Sequence, residues 1–162
     1  MAAIESSNGG EREQASPLYV SRFENKVDEK RRVQIPSVWR RGQTGGLRFL
    51  LLPVPKRNWR PACLVVMPPE RFMRTVAELR TMKISDDRAD SLRRLLATRA
   101  SEVETDSAGR ICLPDDATKA VDVKERVVLA GMLDWFEIWS PERYAQVEAG
   151  DDERVTEAFD LV

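Results

Sequence analysis

The sequence predicts an α+β fold made of two tandem, pseudo-two-fold-related, β-rich half-units with connecting helices. Three observations carry that prediction. First, Val27-Asp28-Glu29-Lys30-Arg31-Arg32-Val33-Gln34-Ile35-Pro36 is matched by Thr105-Asp106-Ser107-Ala108-Gly109-Arg110-Ile111-Cys112-Leu113-Pro114 at a constant spacing of 78 residues. Second, Val66-Met67-Pro68-Pro69-Glu70-Arg71-Phe72 is matched at a spacing of 72 by Ile138-Trp139-Ser140-Pro141-Glu142-Arg143-Tyr144. Third, each Asp-x-x-x-Arg turn leads into a short strand of alternating apolar residues (Arg32–Ile35; Arg110–Leu113), and apolar strands follow it in both copies. Ordered matches with apolar residues in register indicate an internal duplication. The spacing shrinks because the first copy carries extra residues in Pro53–Pro61.

The elements follow in the same order in each copy. A strand (Tyr19–Val27; Arg99–Thr105) enters a turn, and a short alternating strand (Arg32–Ile35; Arg110–Leu113) leaves it. Proline then opens a helical turn (Pro36–Arg41; Pro114–Ala120), where its missing N–H costs nothing, and Gly42 can stop the first. Apolar strands come next, Leu47–Leu52 and Leu64–Met67, then Arg126–Gly131 and Trp135–Trp139. Pro69 and Pro141 start the closing helices, the first reaching about Met82. A helix from about Asp86 to Thr98 joins the halves, with Leu92, Leu95 and Leu96 as its buried stripe. The resulting plan is a mobile extension (1–16), a first half-unit (17–83), a connecting helix (84–98), a second half-unit (99–149) and a mobile acidic tail (150–162). One half-unit has too few strands and too many open edges to be stable alone. Trp135 and Trp139 are expected in the core, and Trp39 and Trp59 in the core or at an interface.

Composition narrows the function. Hydrophobic residues make up 42% and charged residues 33% of the 162 residues, as in ordinary globular proteins. No apolar run approaches the roughly 20 residues that cross a bilayer, and the N-terminal stretch lacks the pattern of a signal peptide. A cytoplasmic, nucleoid-associated protein without a membrane partner is expected. Cys63 and Cys112 sit in apolar contexts and read as buried, reduced thiols. There is no histidine, hence no usual general base and none of the commonest metal ligand. HExxH, GxSxG, a phosphate-cradling glycine loop and a dinucleotide fingerprint are also missing. No enzyme activity, cofactor or metal is expected. The net charge of −1 conceals an asymmetry: residues 17–60 carry eleven basic and three acidic residues, whereas 61–162 carry fourteen basic and twenty-one acidic. A basic portion on an acidic chain suggests a localised polyanion-binding face.

The repeated Asp-x-x-x-Arg, followed by an apolar strand and proline, resembles the signature of the MraZ family, whose fold is similar to the AbrB-type swapped hairpin. The likeness runs from about Tyr19 to Tyr144 and includes the segment LAGMLDWFEIWSPERY. It implies a transcriptional regulator, expected to be a repressor, of the division and cell-wall gene cluster. It implies binding to direct repeats upstream of its own operon, as a ring-shaped homo-oligomer. Transferred residue by residue, the DNA contacts implied are Lys30 and Arg32, and then Arg110. The family usually has glycine where this chain has Arg31, whereas Gly109 keeps it. A glycine there suggests positive φ, which costs another residue roughly 1–2 kcal/mol. Either Arg31 takes that cost or the first turn differs in shape. Glu29, Ser21 and the sixteen-residue head also depart from the pattern.

Without the family, the same corner reads as a ribbon tip. Lys30, Arg31 and Arg32 stand at the end of a two-stranded ribbon, flanked by Lys26 and Arg22. Such a tip fits the major groove, where an arginine can bond guanine O6 and N7, while neighbouring cations hold phosphates. Asp28 and Asp106 are read as turn caps that pair with the arginine four residues on. Arg32 and Arg110 therefore either close their turns or contact DNA. Lys56, Arg57 and Arg60 beside Trp59 form either a nucleic-acid patch or a proline-bounded surface loop. Arg93 and Arg94 belong to a solvated helix face or a subunit contact. The rival reading is a protein–protein assembly or antitoxin-like module on the same fold.

Overall fold

Alternation with period two decides which way each strand faces, and with it the layering. The computed structural model describes residues 17–43 and 45–162, so the expected 1–16 extension lies outside the described residues. In chain order the elements are β1 (Arg22–Lys26), β2 (Arg32–Gln34), a 3-10 turn (Ser37–Trp39), β3 (Arg48–Lys56) and β4 (Trp59–Met67). Then come α1 (Pro69–Arg80), α2 (Asp87–Arg99), β5 (Ser101–Glu104), β6 (Arg110–Cys112) and α3 (Asp115–Ala120). β7 (Arg126–Gly131), β8 (Phe136–Trp139), α4 (Pro141–Ala158) and a 3-10 turn (Phe159–Leu161) complete the chain.

Six strands form an antiparallel sheet in the order β1-β7-β8-β4-β3-β5, and β2 pairs with β6 as a separate ribbon. If β1, β3 and β4 are exchanged for β5, β7 and β8, the order reads the same from the other end. Phe49, Leu51, Leu64, Val66, Leu129, Phe136 and Ile138 point to one side of the sheet, where Val33 and Ile111 of the ribbon close over them. Trp39 is buried there against Tyr19 and Phe136, with ring centroids 5.5 and 5.0 Å away. The intervening residues face the other side. Leu52, Val65 and Met67 meet Leu79 of α1 and Ala89 and Leu96 of α2; Cys63, Val128, Ala130 and Trp139 meet Tyr144 and Val147 of α4.

Several boundaries and placements differ from the expectation. Ser21 has φ +77, so β1 begins at Arg22 and Tyr19 makes only an isolated bridge to Leu133. Pro53–Pro61 is no loop: β3 and β4 extend through it as a hairpin that turns at Arg57–Asn58. Prolines are tolerated because β5 pairs with β3 only as far as Leu51, leaving an edge beyond. The acidic tail continues α4 through Gly150 instead of leaving the helix, although residues 151–162 are all exposed. Ala89 and Leu96, seven residues apart, set the buried stripe of α2; Leu92 is 39% exposed. Trp135 is half-buried beneath the Arg71 guanidinium, not in the core. Cys63 is buried, and burial raises its thiol pKa, but Cys112 is exposed.

Candidate nucleic-acid interface

Each Asp-x-x-x-Arg segment folds into a turn by the same set of bonds. Asp28 Oδ1 accepts from the backbone N–H groups of Lys30 (2.9 Å) and Arg32 (2.8 Å), and its Oδ2 accepts from Arg32 Nε at 2.6 Å. Asp106 Oδ1 likewise accepts from Ala108 and Arg110 N–H, both at 2.9 Å, and its Oδ2 from Arg110 Nε at 2.9 Å. These bonds hold both carboxyls below the usual range. The largest cause is the N–H of Arg32 for Asp28 and the N–H of Arg110 for Asp106. The residue before each arginine has positive φ, +79 at Gly109 and +60 at Arg31. Arg31 therefore takes the left-handed conformation that the other turn assigns to glycine, at a cost of roughly 1–2 kcal/mol. Its Nε donates to Leu113 O at 3.0 Å, a structural task not foreseen in the sequence. A Cβ at position 109 would lie 2.5 Å from Arg40 Cζ, so a side chain there would have to displace the end of the Arg40 side chain.

The ribbon brings the two turns onto one surface. In β2–β6, Arg32 lies opposite Cys112 and Gln34 opposite Arg110. Val33 and Ile111 point into the core, so Arg32, Gln34, Arg110 and Cys112 share the outward face. The turns also bond each other's strands: Leu113 N–H donates to Arg31 O at 2.8 Å and Ile35 N–H to Gly109 O at 3.0 Å. Arg110 Nη1 stands 4.0 Å from Asp28 Oδ2, so the arginine of one turn reaches the aspartate of the other. Gln34, whose Nε2 donates to Ala108 O at 2.8 Å, was not singled out from sequence. Its place on the strand, two residues from Arg32, was the available signal. Arg40, which packs on Gly109 and donates from Nε to Ile35 O at 3.0 Å, was also missed.

The remaining predicted cations are placed unequally. Lys30 is exposed, and the ion pairs of this face engage Arg32 and Arg110 but neither Lys30 nor Arg31. Lys26 is exposed at the end of β1, opposite Arg126 of β7. Arg22 is not at the tip: at the far end of β1, its Nη1 lies 2.5 Å from Glu148 Oε2 and its guanidinium covers Tyr144 at 5.5 Å. Among the described residues, no group of three or more metal-ligating side chains comes together, and no helix is long and apolar enough to cross a membrane.

Residues 96–160, which contain the second turn, β6 and the whole stretch 99–149, match the family described as "MraZ protein, putative antitoxin-like". A protein of Herpetosiphon aurantiacus named transcriptional regulator MraZ is 32% identical over 130 residues, 80% of this chain and 86% of that protein. The chain belongs to the MraZ family. A MraZ relative from Symbiobacterium thermophilum is 33% identical over 131 residues, covering 80% of this chain and 90% of its own length. Another, from Thermomicrobium roseum, is 30% identical over 131 residues, covering 79% and 85%. Both carry the same name, and the MraZ likeness thus extends over most of the chain.

Proposed function

We propose that this MraZ family member binds double-stranded DNA in a sequence-specific way and regulates transcription. In this reading it is a cytoplasmic, nucleoid-associated repressor. It acts on direct repeats upstream of its own operon in the division and cell-wall cluster and assembles as a ring-shaped homo-oligomer. The observation that carries the reading is the outward face of β2–β6, where Arg32 and Arg110 stand diagonally across the strand pair and Lys30 is exposed in the first turn. The name of the relatives, transcriptional regulator, supports it.

The chemistry follows from the pairings. Lys30 has no carboxylate to give up, so it serves as the phosphate contact, fixing register and releasing counterions. Arg32 and Arg110 are each held by an aspartate through Nε, which leaves the terminal nitrogens of Arg32 to bond guanine O6 and N7, while Arg110 Nη1 also stands 4.0 Å from Asp28 Oδ2. Pairing also reduces the positive field on non-target DNA, so affinity depends more on base acceptors in the right place. One face gives modest affinity, and a ring presenting several faces to repeated sites gains through effective concentration. The matching hydrogen bonds of the two turns and the strand order that reads alike from both ends support the duplication into half-units 17–83 and 99–149.

The test is electrophoretic mobility shift with the DNA upstream of the protein's own gene. The expected result is specific retardation that Arg32→Ala abolishes while the variant remains folded. Retardation indifferent to sequence, or none at low salt, contradicts the proposal and favours a protein–protein assembly or antitoxin-like module.

A further inference from the structure

β8 carries a buried acid on the side of the sheet that faces α4. Glu137 is 5% exposed, beside Trp139 and Ala130. Its Oε1 accepts from Trp139 Nε1 at 3.0 Å. Its Oε2 has no hydrogen-bond partner among the described residues; the nearest cation, Lys56 Nζ, is 3.3 Å away. A carboxylate so buried is costly unless its lone pairs are used. It lines a cleft of about 450 Å³ between the tip of the β3–β4 hairpin and α4, within the size range of small-molecule sites. Trp59, Trp139 and Tyr144 line the same cleft, and the cations Lys56, Arg57 and Arg154 border it. The buried charge is thus an acceptor, and the exposed charges at the mouth are three cations and one acid, Asp151, which stands 3.9 Å from Arg154.

We infer that this cleft binds a nucleoside monophosphate, with its base against the aromatic wall and its phosphate at the rim. Each requirement removes a simpler ligand. A free phosphate has nothing to offer the buried Glu137. An apolar molecule would use neither the buried carboxylate nor the cations at the mouth. A simple ammonium ion would compete with Lys56, which already supplies a cation. A nucleotide has a planar face for the indole and phenol rings, N–H donors at one end and an anion at the other. Guanine presents adjacent N1–H and N2–H donors, and both Glu137 oxygens retain lone pairs for them. Lys56 is 42% exposed at its side chain, so its ammonium is free to turn from Glu137 to the phosphate. Arg57 is exposed, and no ion pair of the described residues at this cleft engages it. The site lies on the sheet side opposite the β2–β6 ribbon, and the inference is independent of DNA binding.

Isothermal titration of the full chain with guanosine 5′-monophosphate tests this, with guanosine, ribose 5-phosphate and inorganic phosphate as comparisons. The expected result is saturable binding, about tenfold or more tighter than ribose 5-phosphate, and weakened to a similar degree by Glu137→Gln. Arg57→Glu changes only an exposed hairpin tip, so it keeps the proposal testable if the buried variant fails to fold. It should weaken the nucleotide and leave guanosine unaffected. Absence of saturable heat, equal affinity for ribose 5-phosphate, or an Arg57→Glu variant with unchanged nucleotide affinity overturns the inference.

Discussion

Arg32 and Lys30 sit two residues apart yet are placed for different work, and single substitutions separate them. Lys30→Ala is expected to weaken binding on all DNA sequences and to lower the salt slope by about 0.9 if it neutralises one phosphate. Arg32→Ala should also blur base preference, by roughly 1–3 kcal/mol at one position. Asp28 would still hold the backbone N–H groups of Lys30 and Arg32, so the turn should survive. Anisotropy titrations at several salt concentrations measure both; an unchanged slope removes Lys30 from the contacts. The aspartates give a pH signature. Their folded pKa values lie below the ordinary range, so their contribution to stability is fully present above the unfolded value of about 3.9. It is lost as pH falls through the folded values. Asp28→Asn with Asp106→Asn should therefore lower stability at neutral pH and flatten the acid limb of the unfolding curve. An unchanged acid limb would show that these carboxyls titrate normally. The cap role of both aspartates was legible from the spacing to the arginine. The displacement of Arg22 was not, because its partner Glu148 is 126 residues away and no local pattern announces it.

At the scale of the element, the two turns differ in one residue that matters. Arg31 holds φ +60 where its counterpart is Gly109. Replacing it by glycine relieves roughly 1–2 kcal/mol of backbone cost but removes the Nε bond to Leu113 O, a contribution of similar size. Arg31→Gly is thus expected to shift stability by less than about 1 kcal/mol while weakening DNA binding, seen by pairing thermal melts with titrations. A large gain in stability would mean that the bond to Leu113 contributes little. The central strands were readable as short continuous apolar runs because both faces are buried: in Leu64-Val65-Val66-Met67 successive residues go to opposite cores. The β3–β4 hairpin was not. Its prolines read as a loop, and only the pairing of β5, which stops at Leu51, shows that they lie on an edge. The helical course of the tail was obscured by Gly150 and by charge, both of which a helix tolerates at modest cost.

Across the whole molecule, the halves interlock instead of lying side by side. β1 pairs with β7, β5 with β3, and β4 with β8, so strands of residues 17–83 depend on partners from 99–149. A fragment of 17–83 should therefore show no cooperative melt by circular dichroism, whereas the full chain unfolds in one transition. A folded fragment would contradict the interlocked sheet. Self-similarity in the sequence pointed to two copies, but it could not show that β2 and β6 would pair and bring Arg32 and Arg110 together. That depends on β2 meeting β6, two segments 78 residues apart.

If the outward face of β2–β6 lies against DNA, Cys112 reports on it directly. This thiol is exposed opposite Arg32, its Sγ 3.3 Å from Lys30 O, while Cys63 is buried and serves as an internal control. The measurement is the rate of Cys112 alkylation, followed by mass spectrometry, with and without saturating upstream DNA. Bound DNA is expected to slow alkylation of Cys112 several-fold and to leave Cys63 unreactive throughout. DNA that is demonstrably bound while Cys112 reacts at its free rate would place the interface elsewhere.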